Sequence, residues 1–238
     1  MEFKKREIAR GAVLTRLGLS SFVTISKVDI SASHYAHVER QTVPGRFVID
    51  GLTIDAPAGI YHPTPDSSSD FFIRNLKAMD GTKIAKALEI GAGCGAISLS
   101  LASRWPSKIV ASDISPEAVE CTKQNARRNE IELEVIQSDL FENIHENDFD
   151  LIIFNTPLID KVPESVVEKY SLCDPDGLIM GAYLKQAGKH IKKSGLIIFS
   201  LCSNSAYEVM DDIDLKFQIL ALELGFSGFW RAIIGAKI

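Results

Sequence analysis

Cysteine is scarce in this 238-residue chain and never paired at short range: Cys94, Cys121, Cys173 and Cys202 stand 27, 52 and 29 residues apart. With no CxxC pair, and with His34 and His37 far from any cysteine in sequence, no zinc ligand set is visible and no metal is expected. Cys94, Cys121 and Cys202 fall in apolar segments, where a thiol packs as a small hydrophobe. A reducing, cytoplasmic setting is the expectation. Long apolar runs are missing too. Nothing approaches the ~20 residues of a membrane span. Arg16 interrupts the stretch from Gly11 to Val23 and no small-residue cleavage site follows, so no secretion signal is expected. Basic charge is not in excess either, with 26 Lys and Arg against 31 Asp and Glu and a net charge of −5. The clusters Lys4-Lys5-Arg6, Arg127-Arg128 and Lys192-Lys193 read as solvated helix faces. Neither nucleic acid nor membrane is therefore expected as a partner.

What the chain does have is core material: 46% of residues are apolar and 24% charged, a balance suited to one large α/β domain. The pattern predicts a helix over residues 1–20, carrying Ile8, Val13, Leu14 and Leu17 and ended by Gly18. Residues 21–60 alternate in a strand-like way, with a hairpin signal where Asp50-Gly51 joins Phe47-Val48-Ile49 to Leu52-Thr53-Ile54. Two prolines make Tyr61-His62-Pro63-Thr64-Pro65-Asp66 extended, and a helix is expected from Ser67 to Met79. Beyond residue 84, apolar strands (84–90, 108–113, 132–137, 149–154, 195–202) alternate with helices (94–104, 115–129, 177–193, 206–224) before a last apolar segment at 226–235. That alternation describes a parallel, doubly wound sheet covered on both faces.

The most informative stretch is Glu89-Ile90-Gly91-Ala92-Gly93-Cys94-Gly95-Ala96, three alternate glycines between a strand and a helix. Glycine permits positive φ and lets a ligand approach bare backbone. In an open α/β sheet this turn lies at the carboxyl end of the first strand, where ligands bind. The run also satisfies G-x-G-x-x-A, so the glycines alone leave a dinucleotide open. Asp113 ends the next strand, 24 residues after Glu89, where a carboxylate can accept from both ribose hydroxyls; Asp139 ends the third. Glu89 two residues before the first glycine, and a glycine at 95, resemble the E-x-G-x-G-x-G motif of class I S-adenosylmethionine-dependent methyltransferases. The resemblance implies a Rossmann-like, mostly parallel seven-stranded sheet with an N-terminal helical and hairpin extension. Residues 1–66 would be a lid or substrate-side extension, and 67–238 the catalytic domain. S-adenosylmethionine would be held by Pro65, Glu89, Gly91, Gly93, Gly95, Asp113, Ile114, Asp139, Leu140 and Asn155.

Strand four runs into Asn155-Thr156-Pro157-Leu158. This is similar to the Asn-Pro-Pro-Tyr segment of the glutamine-N5 and other amino-methylating members of the class, and Tyr61–Asp66 resembles that group's Pro-Arg-Pro-x-Thr segment. The resemblance implies that Asn155 and Pro157 orient an acceptor nitrogen at the sulfonium methyl. Thr156 and Leu158 depart from the motif, and the missing ring removes a stacking surface. Tyr61, Tyr170 or Tyr183 could face the sulfonium instead, with Tyr183 taken as the catalytic candidate. His62 could serve as a base, though a packing role suits a loop histidine. From these departures the expected acceptor is an amine or amide nitrogen of a small molecule, handled by a monomer or homodimer. Two alternatives stay open: intramolecular cyclisation of the cofactor to azetidine-2-carboxylate and methylthioadenosine, and methylation of a protein glutamine.

Overall fold

In the computed structural model, which describes residues 2–23, 25–225 and 228–238, the chain begins with two helices, α1 (Glu2–Arg16) and α2 (Ser31–Arg40). A hairpin follows, β1 (Gly45–Ile49) and β2 (Leu52–Ala56), and then α3 (Ser68–Leu76). The remainder alternates: β3 (Lys86–Ile90), α4 (Ala96–Ala102), β4 (Lys108–Asp113), α5 (Pro116–Arg128), β5 (Glu134–Gln137), β6 (Phe149–Phe154), α6 (Leu178–Ala187), β7 (Ile191–Cys202), β8 (Lys216–Leu224) and β9 (Trp230–Lys237). Seven strands form one sheet in the order β5-β4-β3-β6-β7-β9-β8, in which β9 alone runs against the others. β3 pairs with β4 on one side and β6 on the other, so strand order reverses there and a crevice opens outside its carboxyl end. No helix among the described residues is long and apolar enough to cross a membrane.

Each face of the sheet buries its own core. On one, α3, α4, α5 and the hairpin enclose Phe72, Leu76, Leu99, Leu151 and Ile153. On the other, α1 and α6 cover Leu14, Phe149, Tyr183, Phe199, Tyr207 and Trp230. α1 ends where Gly18 turns left-handed (φ 72°) and Leu19 N–H bonds back to Leu14 O at 2.8 Å. The Asp50-Gly51 turn has positive φ at both residues (51° and 80°), the type I′ geometry its sequence favours. Ser67 caps α3 and Ser115 caps α5 through their hydroxyls.

Three expectations are corrected. The strand-like stretch 21–60 contains α2 at Ser31–Arg40 before the hairpin, with residue 24 outside the described residues. The helix expected over 177–193 stops at Ala187, and Ile191 already pairs with Phe149 in β7. Residues 206–224 are not a helix: a 3₁₀ turn at Tyr207–Asp212 leads into β8. The leucines, alanine and glutamate of Lys216–Leu224 favour a helix intrinsically. Pairing with β9 along an otherwise unsatisfied sheet edge overrides that preference. Of the apolar segment at 226–235, residues 226 and 227 lie outside the described residues, and Trp230 onward is β9.

The hairpin is fastened to α5 by two asparagines acting as a substitute strand. Asn125 accepts from Asp55 N–H at 2.9 Å and donates to Asp55 O at 2.8 Å; Asn129 does the same for Thr53, at 2.9 Å each way. Asn125, 1% exposed, also donates to Cys94 O at 2.8 Å. Asn125→Ala leaves these partners buried and unpaired. It should cost about 2–3 kcal/mol in urea unfolding, against a smaller loss for the half-exposed Asn129→Ala.

Candidate active site

β3 releases the chain at Gly91 into a turn where Gly91, Gly93 and Gly95 all have positive φ, at 66°, 60° and 80°. The three serve different ends. A Cβ on Gly91 would stand 2.7 Å from the Phe154 ring, and one on Gly95 would stand 2.8 Å from Thr122, so these two permit close packing. A Cβ on Gly93 would meet nothing nearer than Ile60 at 3.9 Å, so there the bare backbone is offered to open space. The loop is pinned from behind. Thr122 Oγ1 donates to Gly93 O at 3.0 Å, Asn125 reaches Cys94 O, and Gly93 N–H donates to Asp113 Oδ2 at 2.8 Å.

In front of the loop lies a cavity of about 1490 Å³. That exceeds the ~300–1,000 Å³ of an ordinary small-ligand pocket, so there is room for more than one molecule. Most residues singled out in the sequence converge on it. Gly91, Gly93 and the buried Glu89 form the floor with Asp113; Ile114, Asp139 and Leu140 lie on one side, and Pro65, Asn155 and Pro157 on the other. Gly95 is not in the wall and instead caps α4. Tyr183 is corrected as a catalytic candidate. It is fully buried in the core below the sheet, its hydroxyl within reach of Ile198 O at 3.1 Å and Ile152 O at 3.3 Å, because α6 packs that face inward. His62 also lies outside the cavity wall, its ring 5.3 Å from that of Phe47. Tyr61 and the half-exposed Tyr170 do line it.

The fit to an adenosyl cofactor rests on this cradle and its acid. Asp113 Oδ1 accepts from Ser115 N–H at 2.9 Å while the carboxylate faces the cavity, placed to receive a ribose diol. Its burial raises its pKa against the pull of these backbone donors. Asn155 sits at the carboxyl end of β6. Its Nδ2 donates to Ser68 Oγ at 3.0 Å and Ser69 Oγ at 3.2 Å, and its Oδ1 accepts from Ser200 Oγ at 3.2 Å. Thr156 stands where the resembled motif has proline, and its hydroxyl donates to Ser200 O at 2.7 Å. Ser68, Ser69 and Ser200 were not singled out in the sequence. A run of three serines where one suffices as a helix cap was the available signal.

The cavity is walled on its far side by α2, through His34, His37 and Arg40, and by the segment after β6. His34 Nε2 lies 2.6 Å from Glu168 Oε1, and Lys161 donates to the same oxygen at 2.9 Å. Against the burial that would raise it, these partners and the Glu164 N–H hold the Glu168 carboxyl down to about 2. Cys173 brings a third donor atom within 4.8 Å of this pair, but the ammonium on the carboxylate makes the group an ion-paired latch rather than a cation site.

Burial pushes the Glu89 carboxyl up from 4.5 to about 8, although Ser98 donates to it through both N–H and hydroxyl. The folded, cofactor-free protein thus holds a proton that the unfolded chain releases near 4.5. Its stability should fall by up to roughly 1.4 kcal/mol per pH unit as pH rises from 4.5 towards 8. Glu89→Gln should flatten that slope in thermal unfolding; identical slopes for both proteins would show the carboxyl to be ionised.

Comparison with known proteins agrees with this geometry. Residues 51–221 match the family model described as methyltransferase small domain. A Methanocaldococcus jannaschii protein, named provisionally as a protein N5-glutamine methyltransferase, is 32% identical over 154 residues, 63% of this chain and 75% of its own. The release factor glutamine methyltransferase of Shewanella oneidensis is 30% identical over 192 residues, 73% of this chain and 66% of its own. The fold is shared with the Thermus thermophilus 16S rRNA N2 G1207 methyltransferase solved with AdoMet and guanosine (TM-score 0.60, 17% identity), over 82% of this chain and half of that one. These relatives correct the expectation of a small-molecule acceptor and of no nucleic acid: they are named for a glutamine in a protein or a guanine in ribosomal RNA. A role in small-molecule biosynthesis loses its support with it. By its sequence match over most of its length and by its fold, the chain belongs to the methyltransferase small domain family.

Proposed function

We propose that the protein is an enzyme that transfers a methyl group from S-adenosylmethionine to the side-chain amide nitrogen of a protein glutamine. The observation that carries this reading is Asn155. It stands half-buried at the end of β6 and lines the cavity beside the glycine cradle, with its Oδ1 only partly satisfied. S-adenosylmethionine supplies an electrophilic methyl carbon on its sulfonium. Gly91 and Gly93 would accommodate the amino-acid and ribose portions along bare backbone, and Asp113 would accept from both ribose hydroxyls. Asp139, Ile114 and Leu140 would border the adenine.

Asn155 Oδ1, together with its main-chain carbonyl, would accept the N–H groups of the acceptor amide. This turns the nitrogen lone pair towards the methyl carbon, in line with the bond that breaks. The new N–C bond forms as the C–S bond breaks, its electrons stay on sulfur, and the proton leaves nitrogen to water. Pro157 would hold the segment extended, and the wall formed by α2 and residues 57–66 would close over the bound pair, with the His34–Glu168 latch fixing it.

A protein acceptor is favoured over RNA by the charge and apolarity of the mouth. Asp66, Glu117 and Asp139 line it in balance with Arg40, Lys169 and Arg231, and Val166, Tyr170 and Leu178 expose apolar surface there. An RNA-binding face would concentrate lysine and arginine.

The test is incubation of the full chain and methyl-labelled S-adenosylmethionine with an intact translation release factor and, separately, with ribosomal RNA. Label in the protein, recovered as methylamine after acid hydrolysis, is expected; label only in RNA overturns the reading. Asn155→Ala should lower kcat/KM about a hundredfold with cofactor affinity little changed. Asp113→Ala should weaken cofactor binding, measured by calorimetry, by about a hundredfold.

A further inference from the structure

The acceptor segment lacks the aromatic of the resembled motif, Leu158 standing in its place, yet the cavity wall is not without a ring. Tyr61 lines it from the N-terminal side, at the end of the segment that β2 delivers. Its surroundings give it a defined hydrogen-bond polarity. The Tyr61 oxygen accepts from Ser68 Oγ at 2.9 Å and from Ser68 N–H at 3.3 Å. Ser68 Oγ, having given its proton to Tyr61, accepts from Asn155 Nδ2 at 3.0 Å. Protons therefore run one way along the chain, from Asn155 to Ser68 to Tyr61. Among the described residues nothing accepts the Tyr61 proton, which is left for the cavity.

The other end of Asn155 is complementary. Ser200 Oγ has a single proton, and Asn155 Oδ1, Thr156 Oγ1 and Thr156 O all lie within reach of it, at 3.2, 3.0 and 3.4 Å. Asn155 Oδ1 is thus left with acceptor capacity. The site presents one acceptor, Asn155 Oδ1, and one donor, the Tyr61 hydroxyl, separated by one serine hydroxyl. Burial raises the Tyr61 pKa, which keeps it a donor at neutral pH. The His37 ring packed on it, centroids 5.0 Å apart, is held neutral at about 4 by burial and by Arg40. Arg231 and Arg40 pull the phenol the other way without cancelling the effect of burial.

From this arrangement we infer that Tyr61 is a specificity-determining residue: it donates to the carbonyl oxygen of the acceptor amide while Asn155 accepts from its nitrogen, and its ring replaces the aromatic missing at 158. The inference rests on the glutamine reading above. A primary amide carries both functions on one carbonyl carbon, as its oxygen and its nitrogen, and an acceptor amine carries only one. Donation to the carbonyl would draw the nitrogen lone pair further into amide resonance, so the tyrosine selects and aligns the amide and does not activate it. Its effect belongs in KM.

Tyr61→Phe keeps the ring and removes the donor. It also removes the acceptor of Ser68 N–H and Oγ, so the thermal midpoint should fall modestly. With the release factor as acceptor, KM should rise about tenfold, the equivalent of one hydrogen bond, with kcat and cofactor affinity close to wild type. Ser68→Ala, which breaks the one-way chain at its middle, should raise KM as well. If wild type methylates the release factor and Tyr61→Phe does so with an unchanged KM, this inference is overturned and the glutamine reading stands. If wild type binds S-adenosylmethionine but labels no protein, the glutamine reading fails and takes the inference with it.

Discussion

A loop that cradles a ligand with its backbone must have that backbone satisfied from the other side. In this protein α5 meets the requirement. Thr122 and Asn125 take up the carbonyls of Gly93 and Cys94, and Asp113, at the strand end just before α5, takes the Gly93 N–H. The left-handed conformations at 91, 93 and 95 turn the open face of the chain outward and put the bonded face against the helix. The same Asn125 side chain grips Asp55 in β2. One residue thus fixes the distance between the glycine floor and the hairpin, and so places the segment 57–66 that leaves the hairpin and lines the cavity. The glycine floor and the wall proposed for the acceptor are separate in sequence but share one anchor.

How much of this could be read in the sequence follows from how local each signal is. The glycine loop, the Asp50-Gly51 turn, the Ser115-Pro116 helix start and the apolar strands obey rules that span a few residues, and each lies where those rules put it. The stretch 216–224 obeys a longer rule: its side chains suit a helix, and only the neighbouring β9, reached through tertiary pairing, makes it a strand. α2 is hidden because Ser31–Arg40 mixes small, aromatic and charged side chains with neither period strongly marked. Only its chemistry, not its position, links Tyr183 to the cofactor. Its position on α6, facing the sheet, decided against it. Ser68 and Ser69 lie on α3 and Ser200 on β7, far apart in the chain, and no local pattern links them to Asn155.

The departures from the resembled motif look different once their partners are known. Proline at 156 would stiffen the chain through its ring. Thr156 achieves a comparable restraint by donating to Ser200 O, which ties the end of β6 to β7. Leu158 O accepts from Ser205 Oγ at 2.9 Å, carrying the tie onward to the loop that follows β7. Rigidity has moved from a covalent ring to a network. A network can be retuned one hydroxyl at a time, while a ring is kept or lost.

That network has a distant foundation. Arg10 of α1, 5% exposed, donates to Ser203 O and Ser205 O at 2.8 Å, lies over the Tyr207 ring and is neutralised by Glu208. A buried guanidinium is costly unless every donor is engaged, so α1 is committed to one position over the loop after β7. Through Ser205 and Leu158 that position reaches the segment after β6, although no described residue of α1 lines the cavity. The two halves of the site are therefore held by different means. The cofactor side rests on short-range bonds within one βαβ unit, made by Asp113, Thr122 and Asn125. The acceptor side rests on long-range polar and ionic ties to α1, α2 and α3, in which Arg10, His34 and Ser68 take part. On the reading proposed above, substitutions in those ties would alter what is methylated while leaving the cradle intact, and a degraded acceptor motif would coexist with an undisturbed glycine loop.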